Sequence, residues 1–285
     1  MVLAICRPSL LRACFRGVRV AFHLVRGTVL ACFFPALSPH VQLRIQQRWS
    51  RQLLEVLHVG FEARGAAHPE HMQGQLLVAN HVSWLDVLAM NAAVPACFVA
   101  KSEVRNWPLL GWLCHRVGTL FIKRDIRRDT VRINRKISAR IAQGACVALF
   151  PEGTSSDGVL PGHFHSSLLQ GVIDANGAIR PVAIRYHDGS GRPCVDAAFI
   201  GDMSFARSLW KILCSPSLHV TLFYLPPIPC AKKNRRLLAA EAQGSIHMVL
   251  AEFSPNHSVC VPCACSPNRL SAAAVPVHSG CLTNS

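Results

Sequence analysis

The segment NHVSWLD, residues 80–86, sets a histidine and an aspartate five positions apart in a mostly apolar run. These two residue types form a proton-abstracting pair when the carboxylate meets one ring nitrogen of the imidazole. The carboxylate then fixes the tautomer and stabilises the imidazolium, leaving the other nitrogen to take a proton from an alcohol. His81 and Asp86 satisfy this if the chain turns into a helix within VSWLD, so that the aspartate folds back onto the ring. Two buried polar side chains that merely satisfy each other would carry the same spacing, and the spacing alone leaves both readings open.

Three further stretches carry chemistry. GTLFIKR (118–124) ends an apolar run in Lys123 and Arg124, whose charge and fork geometry suit a phosphate. FPEGTSSDG (150–158) ends another in a turn rich in backbone donors, with Glu152 at its mouth. RPVAIRY (180–186) begins a strand with proline, where the missing N–H costs least. Lys101, at the end of CFVAK, is either a further phosphate ligand or a solvated strand-end lysine.

In order and spacing these four stretches resemble the conserved blocks of the glycerolipid acyltransferase family, most like the bacterial 1-acylglycerol-3-phosphate acyltransferases. The resemblance covers roughly residues 75–190, and FHSSLLQ (164–170) is also similar to the bacterial members. It implies a two-substrate transfer without an acyl-enzyme. His81, oriented by Asp86, would deprotonate the free hydroxyl of a lysophospholipid, and that oxygen would attack the thioester of acyl-CoA or acyl-carrier protein. It also assigns the acceptor's phosphate and glycerol to Arg124, Glu152 and Gly153, with Lys123 a weaker addition. Lys101, from its strand-end position, and Thr154, in the same turn as Gly153, are further substrate-binding candidates. Many family members carry Asp where Lys123 stands. Because a carboxylate does not attract a phosphate, Glu152 is expected to contact a hydroxyl or to hold Arg124. Neither a metal nor a nucleotide cofactor is implied. Another lyso-lipid acceptor, such as lyso-ornithine lipid, or water in a thioester hydrolase, would use the same blocks.

The elements that must position these residues are readable from residue 74 onward. QLLVAN, ACFVAKSE, GTLFIKR, ACVALFPEG, IRPVAIRYH, CVDAAFIG and SLHVTLFYL read as strands, with helices after Asp86 and over 126–143. This alternation predicts an α/β fold with a mixed, mostly buried sheet flanked by helices. In the helix after Arg124, Ile133, Ile137 and Ile141 form a core-facing stripe, and Arg128, Arg132, Arg135, Lys136 and Arg140 occupy the rest. That basic face is either solvated or docked on anionic lipid.

Residues 1–63 read as two helices around PALSP. The second places Leu43, Trp49, Leu53, Val56 and Leu57 on one face. Residues 1–65 hold nine arginines against two glutamates, interleaved with Leu, Val and Phe. With a net charge of +15 over 285 residues and no nucleic-acid-binding signature, this favours an anionic membrane over nucleic acid. The uncharged run from Gly27 to Leu37 falls short of the roughly 20 apolar residues of a span, so an interfacial hairpin with snorkelling arginines is expected, with a tilted span or a shallow re-entrant hairpin as the alternative. The location implied is the cytoplasmic face of the inner (plasma) membrane.

The thirteen cysteines are an odd number and lie mostly alone in apolar segments (Cys32, Cys97, Cys114, Cys146), as small buried hydrophobes of a reducing compartment do. CVPCAC, at 260–265, lacks the second ligand pair of a zinc site. Residues 253–285 hold no acidic residue and no periodicity and read as a disordered tail. The expected organisation is membrane-associating helices over 1–63, a catalytic α/β domain over 64–252, and the tail.

Overall fold

A computed structural model describes residues 10–65 and 72–254. Eight strands form one sheet: β1 (Val59–Arg64), β2 (Gln75–Ala79), β3 (Cys97–Lys101), β4 (Leu120–Ile122), β5 (Val147–Leu149), β6 (Ala178–His187), β7 (Leu218–Tyr224) and β8 (Ile228–Pro229). Their order is β1-β7-β6-β2-β5-β3-β4, with β8 paired to β6. Strands β6, β2, β5, β3 and β4 are mutually parallel, β7 and β8 run antiparallel to β6, and β1 is parallel to β7. Leu76, Leu77, Val78 and Ala79 of β2 are all fully buried, as a central strand covered on both faces requires.

The period of two along β2 sends Leu77 and Ala79 into one core and Leu76 and Val78 into the other. On the first face lie α1 (Leu10–Phe33), α2 (Pro39–Val56), α3 (Leu85–Ala93) and α7 (Phe205–Cys214). On the second lie α5 (Arg127–Ala142), α6 (Gln170–Asp174) and α8 (Arg235–Ala251). The short α4 (Leu110–Arg116) touches α1. Helix α5 buries Ile133, Ile137 and Ile141 as their spacing predicts.

The two N-terminal helices are bound to the α/β body by side chains that close helix ends. Arg16 donates to the carbonyls of Leu213 and Ser215 at the C-terminus of α7, both at 3.0 Å. Arg51 donates to Ala92 O at 2.6 Å and Gln47 to Ala93 O at 2.8 Å, at the C-terminus of α3. These carbonyls have no intrahelical donor, and a guanidinium there also meets the negative end of the helix dipole. Arg16 and Arg51 therefore serve the fold, where the sequence alone suggested head-group contacts. A side chain at Gly27 would lie 2.6 Å from Trp49 Nε1, so the glycine sets how closely α1 approaches α2.

The outer side of α1 is rich in large apolar side chains, with Leu11, Phe15, Val18, Phe22, Val25 and Phe33 each more than 60% exposed. The exposed Arg12, Arg19 and Arg26 stand among them, Arg19 lying over the Phe15 ring. By length and composition the segment Leu10–Ala36 is also sufficient to cross a membrane.

Several expectations are corrected. VGFEAR forms β1, pairing with β7, because Val59, Phe61 and Ala63 alternate with Gly60, Glu62 and Arg64 after a helix break at His58, φ 57°. The expected boundary between residues 63 and 64 thus falls inside a strand. CVDAAFIG is not a strand: Phe199 N–H donates to Val82 O and Cys194 N–H to Tyr186 O, so it lies as a loop that buries Ala197 and Ala198 and leaves Val195 and Ile200 exposed. Leu43 is exposed while Leu54 takes the inward position on α2, and Cys32 is exposed on α1. The tail expected to be disordered, from residue 255 onward and with it CVPCAC, lies outside the described residues.

Candidate active site

Parallel strands present their C-terminal ends on one edge of the sheet, and loops leaving those ends converge. His81 follows β2, Lys101 ends β3, Lys123 and Arg124 follow β4, and Glu152 and Gly153 follow β5. Four segments far apart in the chain are brought to one edge because β2, β5, β3 and β4 are neighbours and parallel.

His81 Nδ1 lies 2.8 Å from Asp86 Oδ2. A carboxylate only accepts, so Nδ1 carries the proton. Asp86 is the second residue of α3, and its Oδ2 reaches back to accept the N–H groups of Val82 (2.7 Å) and Ser83 (2.9 Å). The carboxylate thus closes the turn that starts the helix, at the end where the helix dipole favours negative charge. Its Oδ1 accepts the phenolic O–H of Tyr186 at 2.7 Å, and Asp86 is fully buried. The imidazole stacks on Phe150 with ring centroids 4.2 Å apart, and its side chain keeps 24% exposure. With Nδ1 committed to Asp86, Nε2 is the nitrogen left to exchange a proton with a ligand.

Glu152 is buried, and its Oε1 accepts His81 N–H at 3.1 Å. Burial pushes its carboxyl above the usual range, opposed by the backbone donors of His81 and Gly162. The expected bond to Arg124 is absent because this side chain turns inward to the His81 amide. Instead, Arg124 Nη1 donates to Gly153 O at 2.6 Å. Gly153 has φ +79°, a left-handed conformation that favours glycine, and a Cβ there would displace the tip of Arg124 from its bond to the Gly153 carbonyl. His81 O accepts from Ser156 N–H at 2.8 Å and Ser156 Oγ at 3.2 Å, stitching the loop after β2 to the loop after β5.

Lys101, Lys123, Arg124 and Thr154 are exposed. The Lys123 amide is held by Asp129 Oδ2 at 2.7 Å, and Glu103 feels the charges of both Lys101 and Arg124. The sequence pointed to neither Tyr186 as a partner of Asp86 nor Phe150 as a platform for His81. The signal for Tyr186 was the alternation Val182, Ile184, Tyr186, which places all three in the same core as α3. Among the described residues no cluster of three or more His, Cys, Asp or Glu side chains is arranged to hold a metal ion. The site combines an oriented imidazole with a cationic rim, an arrangement suited to removing a proton from a hydroxyl on an anionic molecule.

The Acyltransferase family profile matches residues 60–185. The 1-acyl-sn-glycerol-3-phosphate acyltransferase of Neisseria meningitidis serogroup B is 36% identical over 203 residues, covering 71% of this chain and 79% of that protein. The lyso-ornithine lipid O-acyltransferase of Pseudomonas aeruginosa is 36% identical over 207 residues, covering 73% of this chain and 78% of that protein. The crystal structure of the 1-acyl-sn-glycerophosphate acyltransferase PlsC from Thermotoga maritima matches with a TM-score of 0.58, covering 86% of this chain and 100% of that one. At 17% identity that match speaks for the fold. The chain belongs to the acyltransferase family, as the four blocks implied. Its mixed α/β sheet is the PlsC-like fold, and it is an enzyme of the O-acyltransferase type.

Proposed function

We propose that this protein transfers an acyl chain from acyl-CoA or acyl-carrier protein to the free hydroxyl of a lyso-lipid, with 1-acylglycerol-3-phosphate as the acceptor and phosphatidic acid as the product. The observation that carries this reading is the hydrogen bond from His81 Nδ1 to a buried, fourfold-bonded Asp86, on the sheet edge that also bears Arg124. Nε2 takes the hydroxyl proton as the oxygen attacks the thioester carbonyl. The tetrahedral intermediate collapses, the C–S bond breaks, and the departing thiolate takes the proton from Nε2–H. An ester and a free thiol result, and the imidazole is neutral again. Arg124, Lys101 and Lys123 supply positive charge for the acceptor's phosphate. Thr154 and the Gly153 backbone line the turn beside Arg124, and Glu152 keeps the His81 loop in place. This chemistry calls on no metal or cofactor. The outer stripe of α1 lies in the membrane interface on the cytoplasmic side, where a lyso-lipid is at hand.

The test is acyl transfer by purified protein to lysophosphatidate, to lyso-ornithine lipid and to water, with product identification. Phosphatidic acid is the expected product. Acylated ornithine lipid alone would move the reading to the acceptor named for the Pseudomonas relative, and free fatty acid alone would make the enzyme a hydrolase. His81→Ala should lose nearly all transfer while its circular dichroism and melting temperature stay close to wild type. Near wild-type turnover in that variant would overturn the mechanism.

A further inference from the structure

Helix α5 carries more positive charge than its fold can use. Arg127, Arg128, Arg132, Arg135 and Lys136 are exposed on it, and its one acidic residue, Asp129, is already engaged. Asp129 Oδ1 pairs with Arg132 and Asp129 Oδ2 accepts from the Lys123 amide. Arg132 is further tied to Phe121 O at 3.2 Å. No hydrogen-bond or ion-pair partner is found among the described residues for Arg127, Arg128, Arg135 or Lys136.

This placement works against the helix itself. Arg127 and Arg128 stand in the first turn, where the dipole favours acidic side chains. Arg128 with Arg132, and Arg132 with Arg135 and Lys136, are like charges at the three- and four-residue spacings that repel on a helix surface. An anionic partner would offset both effects.

The position of α5 narrows what that partner is. The helix starts three residues after Arg124, at the mouth of the site, and runs away from it for about 24 Å. Its basic side chains from Arg128 to Lys136 spread over about 12 Å of that length, too far for one small anion to engage together. Lipid is disfavoured by the layering of the fold. The apolar stripe of α1 faces outward from one side of the sheet, whereas α5 packs on the opposite side with its basic face turned away. A flat bilayer seated on α1 would have to bend around the sheet to reach α5.

We propose that the basic face of α5 docks an acidic protein that carries the acyl chain as a thioester, so that a carrier protein delivers the donor to the mouth of the site. This rests on the acyl-transfer reading above and selects one of its two donors. A carrier seated along α5 presents its acyl thioester at the end of the helix beside Arg124 and His81. The charges then act on encounter and affinity rather than on the chemical step.

The test is the triple variant Arg128→Glu, Arg135→Glu and Lys136→Glu in the full-length protein. None of these residues belongs to the site, and Glu at 128 suits the helix dipole, so melting temperature should hold or rise. The KM for palmitoyl-loaded acyl-carrier protein should increase on the order of tenfold or more with kcat unchanged, while palmitoyl-CoA kinetics do not move. Fluorescence anisotropy of labelled carrier protein should show binding to wild type that is weakened by salt and lost in the variant. Cosedimentation with vesicles containing phosphatidylglycerol should be unaffected. Equal losses with both donors would make α5 a phosphate site for coenzyme A, and loss of vesicle binding alone would make it a lipid face. No effect, or a wild-type enzyme that neither binds nor uses the carrier, would likewise overturn the proposal. Carrier binding without turnover would instead fault the acyl-transfer reading and leave the docking surface standing.

Discussion

At the scale of single residues, the site is held by Asp86. One buried carboxylate closes the entry turn of α3, fixes the His81 tautomer and receives the Tyr186 phenol. Burial and the neighbouring Asp86 charge hold Tyr186 well above the usual phenol range, so it stays a donor. Tyr186→Phe strands Oδ1 without its partner, a loss of about 1–3 kcal/mol. If part of that cost reaches the transition state, kcat should fall by roughly tenfold with KM for the acceptor unchanged, as steady-state kinetics would reveal. Glu152 gives a pH signature. Its folded-state carboxyl is raised by burial, so the folded protein holds this proton more tightly than the unfolded chain. The resulting stability is fully present below the unfolded-state value and is lost as pH rises through the folded one. Melting temperatures measured between about pH 4 and pH 7 should therefore fall less steeply for Glu152→Gln than for wild type.

At the scale of elements, α1 is divided between two tasks. Its inner face of Ala13, Val20, His23, Gly27 and Ala31 fits against the protein, with Arg16 closing the end of α7. Its outer face exposes large apolar side chains interspersed with the exposed Arg12, Arg19 and Arg26. Burying an exposed Phe in lipid is worth about 1.5–3 kcal/mol. Phe15→Glu with Phe22→Glu should therefore weaken vesicle binding at least on the order of a hundredfold. Its melting temperature should stay unchanged, because neither side chain packs inward. Unchanged vesicle binding would remove α1 from the membrane. Helix α5 has the same divided character in another chemistry, with an isoleucine stripe inward and uncompensated arginine outward.

At the scale of the whole molecule, the sheet separates these two surfaces. The core containing α1, α2, α3 and α7 lies on one side, and the core containing α5, α6 and α8 lies on the other. The groups proposed to react stand between them, on the edge where five parallel strands end. A lipid acceptor approaching along the α1 side and a donor approaching along the α5 side would meet there without competing for one surface. The net charge of +15 is thus not a uniform coat: part of it caps helices, part rims the site, and part lies bare on α5.

Much of this was legible from local pattern. Apolar strand runs, the isoleucine stripe of α5 and the His81–Asp86 pair are set by residues within a few positions of one another, and the physics of strands, helices and turns acts over that range. The period-two run of β1 was also present, though masked by the helix before it. Tertiary structure alone decided the rest. Tyr186 reaches Asp86 from 100 residues away, and Glu152 reaches the His81 amide from 71. Such contacts follow from strand order, and strand order is fixed by how whole faces bury against each other. For the same reason, no short stretch reveals that Arg16 and Arg51 close helix ends while Arg128 and Arg135 are left bare.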